Sequence, residues 1–225
     1  MTHLDRSSKN RLTAPTAQLF ASDSLFDRVA RVMCQAGVLP RKELFESWEV
    51  ARRARRRLRG TRVVDLCAGH GLVPYLMLLL DPRLETAVSV DIRQPKSAAI
   101  IAAAMCSAWP ELANRVRFEE ASLDQIELFP TDVVVSVHAC GALTDRVLAL
   151  ATEAKAPLAV LPCCQARGEP LAAMLEGWLD AQFALDVARV ARLASAGYRV
   201  WTQRIDPEIT DKNRLLLAAP ELAAG

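Results

Sequence analysis

Apolar residues along the chain follow two periods, and the places where one gives way to the other set out the elements. Residues 24–37 carry Leu25, Val29, Val32 and Met33 at helical spacing and end near Gly37 and Pro40. From 42 to 59 a second helix is expected, with Leu44, Trp48, Ala51 and Leu58 on one face. The period then shortens. Val63, Val64 and Leu66 form an apolar strand around Asp65, which runs into the turn Cys67-Ala68-Gly69-His70-Gly71. Leucine-rich residues 72–80 predict a helix ended by Asp81-Pro82, residues 86–91 a strand, and 95–108 a small-residue helix stopped at Trp109-Pro110. Strands are expected at 116–119, in the β-branched run 132–137 and at 158–162, helices at 170–179 and 183–194, and strands at 198–205 and 214–219.

Strands alternating with helices predict an α/β fold with a parallel sheet and helices on both faces. The last two strands are separated only by residues 206–213, too few for a parallel crossover, so an antiparallel final strand is expected. The first twenty or so residues, rich in Ser, Thr, Lys and Arg, read as a mobile or loosely packed lead-in. The organisation expected is an N-terminal arm and helical extension over 1–60, then a ligand-binding domain over 61–220.

Composition narrows the class. A chain of 225 residues with 52% hydrophobic content suits one domain with an ample core, and no run reaches the roughly 18 apolar residues of a membrane span. The start lacks the apolar core of a signal peptide, which makes the cytoplasm the expected location. Six cysteines, with Cys163 and Cys164 adjacent, do not have the spacing of a secreted disulfide framework. A net charge of +2 does not by itself argue for nucleic acid. Locally the balance differs. In the second helix Glu43, Glu46 and Glu49 come early and Arg52, Arg53, Arg55, Arg56, Arg57 and Arg59 come late, an order that complements the helix dipole and lets Glu49 pair with Arg53. A solvated face accounts for this; contact of Arg52, Arg53 and Arg56 with RNA phosphates is the sharper reading.

The candidate chemistry begins at the glycine turn. Strand, glycine turn, helix, strand and a closing acid, Asp91, is the order that binds a ribose-bearing cofactor, with the acid placed to accept hydrogen bonds from ribose hydroxyls. A dinucleotide fingerprint wants a small residue at position 74, where this chain has Pro74. The order Asp65-x-Cys67-x-Gly69-x-Gly71 instead resembles the first motif of class I S-adenosylmethionine (SAM) methyltransferases, with cysteine where the first glycine is usual. That resemblance implies a Rossmann-like class I methyltransferase sheet and SAM as cofactor. It implies that Cys67, Ala68, Gly69 and Gly71 hold the methionine end, that Asp65 lies near its amino group, and that Asp91 and Ile92 meet the nucleoside. Ser122 and Leu123 stand where the family contacts adenine, and they could equally be a turn and helix cap.

Two further clusters stand at strand ends. His138-Ala139-Cys140-Gly141, leading to Thr144-Asp145, follows one strand and Pro162-Cys163-Cys164 ends the next. Together these segments resemble a methyltransferase subfamily that includes the glutathione S-transferase C-terminal-domain-containing proteins, and they are similar to the acceptor-stem tRNA 2′-O-methyltransferases, which carry a related His-x-Cys-Gly segment. His138 could act as general base or meet the cofactor; Cys140, Cys163 or Cys164 could act as thiolate nucleophile. A metal site is not expected, because adjacent cysteines strain a tetrahedral shell. The cysteines could also be packing residues, with Thr144 capping a helix. Two function classes follow: a methyltransferase acting on RNA of tRNA type, a protein or a small molecule, or a SAM-binding scaffold without turnover.

Overall fold

The computed structural model describes residues 4–137, 139–162 and 170–221. Helices α1 (Leu25–Ala36) and α2 (Arg41–Arg57) precede strand β1 (Arg62–Leu66). Then follow α3 (Val73–Leu80), β2 (Thr86–Asp91), α4 (Lys96–Ala108), β3 (Val116–Glu120), β4 (Asp132–Ser136), α5 (Ala142–Glu153) and β5 (Leu158–Val160). The chain continues through α6 (Pro170–Leu175), α7 (Ala181–Ser195), β6 (Tyr198–Arg204) and β7 (Arg214–Pro220). The strands form one sheet in the order β3-β2-β1-β4-β5-β7-β6. β1 through β5 are parallel, whereas β7 runs antiparallel to both β5 and β6, as the short connection between the last strands requires.

Local chemistry explains the boundaries. Ser24 accepts from the Asp27 N–H at the start of α1, and Gly37 ends that helix at φ 68, a left-handed conformation in which glycine carries no side-chain clash. Pro74 lies in the first turn of α3, where a missing N–H costs nothing. Helix α6 stops at Leu175, short of the expected 179; Gly177 and Leu179 lie in the turn that leads to the Asp180 cap of α7. Strand pairing puts Asp65 level with Ser89 and Val135 and ends β1, β2 and β4 at one edge of the sheet.

The lead-in differs from the mobile arm expected of its composition. Residues Ala14–Leu19 form a short 3-10 helix, and Leu12 and Phe20 are buried in the main core. Leu39 accepts a hydrogen bond from the Leu12 N–H, while the Arg41 and Lys42 N–H groups donate to the carbonyls of Asn10 and Ser8. Phe20, Phe26, Phe45 and Trp48 then stack in a chain of ring contacts between 5.1 and 6.4 Å. Two isolated apolar side chains thus fix a segment whose average composition is polar. Leu44 of α2 and Val63 of β1 belong to the same apolar cluster.

Candidate functional site

The site is assembled at the carboxyl ends of β1, β2 and β4. Leaving β1, the backbone turns through three left-handed residues, Cys67 at φ 58, Gly69 at φ 53 and Gly71 at φ 68. A side chain on Gly71 would put its Cβ 3.1 Å from the Ser89 hydroxyl, so close packing as well as φ selects glycine there. Cys67 has no such freedom and holds a conformation that L residues rarely adopt. Its thiol is pushed up to about 11, by burial first and then by Asp91, Asp65 and Cys140. It is therefore a protonated neighbour of the site.

The turn closes on Asp91. Its Oδ2 accepts the Gly69 N–H at 3.0 Å and its Oδ1 accepts the Ile92 N–H at 2.8 Å, which leaves further lone pairs of the carboxylate available to a ligand. Ile92 beside it is 82% exposed, an apolar side chain without cover at the strand tip. Asp65 is buried in β1, and its carboxyl is held well above the usual carboxylate range, by burial first and by the Asp91 charge second. Across the sheet edge, Ala121 donates its N–H to the Asp91 carbonyl, which places Ser122 and Leu123 next in line. Gln125 accepts from both the Ser122 N–H and its hydroxyl, so Ser122 forms the capping arrangement that was the alternative to an adenine contact.

His138, Cys163 and Cys164 lie outside the described residues. The strands that precede them in the chain, β4 and β5, are paired neighbours, with Ser136 opposite Val160, and the Leu161 N–H extends the ladder to the Ser136 carbonyl. Cys140 is exposed and close enough to Cys67 to raise its pKa. Thr144 is fully buried and donates to the Ala139 carbonyl at 2.8 Å, back-bonding the loop in place of capping through its own oxygen. Asp145 receives the buried Arg189 guanidinium at 2.9 Å, and Arg189 also reaches Asp186, which holds Arg214 at the start of β7. The Thr144-Asp145 pair therefore anchors the loop after β4 to α7 and the last strand.

Several polar residues at this end were not singled out by the sequence. His70, inside the glycine turn, has Nδ1 2.6 Å from the Ser97 hydroxyl in the first turn of α4 and Nε2 3.4 Å from Glu43 in the first turn of α2. Burial and then Arg11 hold His70 below its ordinary value. Burial, then Glu46, pushes Glu43 up to about 7 against the pull of Lys42. No spacing rule links residues 43, 70 and 97; only the fold brings them together. A cleft of about 510 Å³ lies between α7 and β6–β7, with Pro162 among its lining residues, and none of the turn residues lines it.

The arginines of α2 stand elsewhere. Glu49 binds Arg52 at 2.7 Å and Arg53 at 2.9 Å, and Arg53 also reaches Gln203. Arg56 is exposed. Arg83, in the turn before β2, donates to the Arg55 carbonyl, so this end of α2 lies at the amino ends of the strands, opposite the glycine turn.

Comparison with known proteins agrees with this geometry. Residues 43–168 match a family model described as a methyltransferase domain. A glutathione S-transferase C-terminal domain-containing protein homolog of Drosophila melanogaster is 28% identical over 158 residues, covering 67% of this chain and 26% of that protein. Its counterpart in Xenopus laevis is 31% identical over 106 residues, covering 47% and 16%. The chain thus spans about a quarter or less of the length of these relatives. Among solved structures, an O-methyltransferase family protein from Burkholderia thailandensis superimposes with TM-score 0.52 at 20% identity, over 94% of this chain and 64% of that one. The methyltransferase domain of bacterial CtHen1-C gives 0.53 at 14% identity, over 80% and 100%. At these identities the structural likeness establishes a shared fold, a Rossmann-like methyltransferase sheet.

Proposed function

The chain belongs to this methyltransferase domain family, and from that premise we propose that it transfers the methyl group of SAM to RNA of tRNA type. One observation carries the cofactor assignment: the Asp91 carboxylate is fixed by the Gly69 and Ile92 N–H groups beside a turn in which Gly71 leaves no room for a Cβ. When bound, SAM supplies an electrophilic methyl group on a sulfonium. Asp91 accepts from the ribose hydroxyls, and Cys67, Ala68, Gly69 and Gly71 present backbone to the methionine end. The Asp65 carboxyl faces its amino group, which offers the buried acid a counter-charge. Ile92, Ser122 and Leu123 border the adenine side.

His138 is assigned as the general base or as the group that positions the acceptor against the cofactor, with Cys140, Cys163 and Cys164 as the candidate thiolates. Holding acceptor and methyl in line at about 3 to 3.5 Å supplies much of the rate. The RNA acceptor is supported by the His-x-Cys-Gly segment that resembles tRNA methyltransferases and by the basic end of α2, with Arg52, Arg53 and the exposed Arg56. A cytoplasmic site of action is supported by Cys34, Cys67 and Cys106, none of which stands in a disulfide. Among the described residues, no helix is long and apolar enough to cross a membrane.

The test is labelled methyl transfer from SAM into RNA, protein and metabolite fractions of cells lacking this protein. Label in small RNA is expected. Label confined to protein or metabolites would overturn the acceptor, and none in any fraction, with the cofactor still bound, would leave a scaffold.

A further inference from the structure

We propose that the cleft between the first turn of α2 and the tips of β4 and β5 is the acceptor subsite, and that it takes a ribose-phosphate segment of RNA. This rests on the RNA reading above and replaces the arginine end of α2 as the contact nearest the chemistry. The cleft has a volume of about 220 Å³. Its apolar walls are Val137 and Leu161, which stand directly ahead in the chain of His138 and of Pro162-Cys163-Cys164. Three lysines from three separate segments converge on it: Lys9 from the lead-in, Lys42 from α2 and Lys212 from the β6–β7 linker.

The charges in the cleft divide by function. Lys42 lies 3.4 Å from Glu46, and Lys212 reaches Gln182 at 3.1 Å and Asp211 at 3.5 Å, so both ammonium groups are held in place. Glu43 and Glu46 line the same cleft; burial raises both carboxyls, Glu43 to about 7, while Glu46 stays within reach of Lys42 and Asp211 within reach of Lys212. The first N–H groups of α2 are taken by Asn10 and Ser8, which means that the side chains supply the positive field. Ammonium groups suit a phosphate, and a carboxyl suits a sugar hydroxyl, as acceptor or donor according to its proton. A ribose-phosphate unit offers both. The arginine end stands at the other end of a 17-residue helix, about 25 Å away. An RNA lying along α2 could touch both ends, with the lysine end at the methyl group.

Anisotropy titration of a labelled acceptor-stem RNA hairpin onto the full chain tests this, at several salt concentrations and with S-adenosylhomocysteine present. The K9Q/K212Q variant is expected to weaken binding roughly tenfold and to flatten the salt slope by close to 2, the loss of about two phosphate contacts. Its affinity for S-adenosylhomocysteine should match that of the wild type, which also controls for folding. A DNA hairpin of the same sequence should bind more weakly, through the missing hydroxyl. Wild-type affinity and slope in K9Q/K212Q, with loss instead in R52Q/R56Q, would overturn the subsite and leave the RNA reading standing. A wild-type chain that does not bind the hairpin would overturn both.

Discussion

The Gly69 N–H and the Asp91 carboxylate meet at 3.0 Å, joining the glycine turn after β1 to the tip of β2. The Ile92 N–H holds the second oxygen at 2.8 Å, so the carboxylate is oriented before any ligand arrives and little ordering cost remains on binding. Asp91→Ala should weaken S-adenosylhomocysteine binding by roughly 1 to 3 kcal/mol, the worth of charge-assisted hydrogen bonds. Isothermal titration reads this directly, and an unchanged affinity would move the ribose acid elsewhere.

Asp65 adds a proton to the binding equilibrium. Its buried carboxyl is raised well above the usual range, so it keeps its proton to higher pH than an exposed carboxyl does, and an ammonium group placed beside it favours the charged form. Binding should therefore release a proton, and affinity should rise with pH until the free carboxyl ionises. Calorimetry in buffers of different ionisation enthalpy measures the proton count, and in Asp65→Asn the release should vanish. A count of zero in the wild type would place the amino group away from Asp65.

Much of this arrangement could be read from the chain, for identifiable reasons. Val133, Val134 and Val135 are fully buried in a central strand, and a β-branched run of that kind has few other uses. The glycine turn was legible because Gly69 and Gly71 take left-handed φ and Gly71 also packs closely on Ser89, and Asp91 because it closes an apolar strand. Leu12 was not legible, since one apolar residue in a polar stretch has no period. Nor was the contact of His70 with Glu43 and Ser97, which depends on how α2 and α4 pack around the turn. The Thr144-Asp145 pair was visible as a motif, but its role in holding Arg189 needed the partner 44 residues away.

Cys67 stands where the family more often has glycine, and its φ of 58 carries a conformational cost for any side chain. Cys67→Gly should raise the stability of the fold by up to roughly 1 kcal/mol. Thermal unfolding with and without S-adenosylhomocysteine checks this. Ligand-induced stabilisation should be retained in the variant; its loss would assign the thiol a direct part in binding.

Glu43 makes stability depend on pH in the direction opposite to most carboxylates. Its carboxyl goes from 4.5 to about 7 on folding, so between those values the folded chain keeps a proton that the unfolded chain has lost. The stability it contributes is fully present below about pH 4.5 and is lost as pH rises through about 7. Glu43→Gln, which cannot ionise, should match the wild type near pH 4.5 and be more stable at pH 8. Urea unfolding at the two pH values decides the matter, and equal stability at both would show that Glu43 ionises normally.

The claim that this glycine turn and acid hold SAM, and not a dinucleotide, is tested most directly by parallel calorimetric titrations of the purified chain with S-adenosylhomocysteine and NAD. Saturable one-to-one binding of S-adenosylhomocysteine, weakened by Asp91→Ala, with no heat from NAD is the predicted result. Saturable NAD binding with no response to S-adenosylhomocysteine would contradict it.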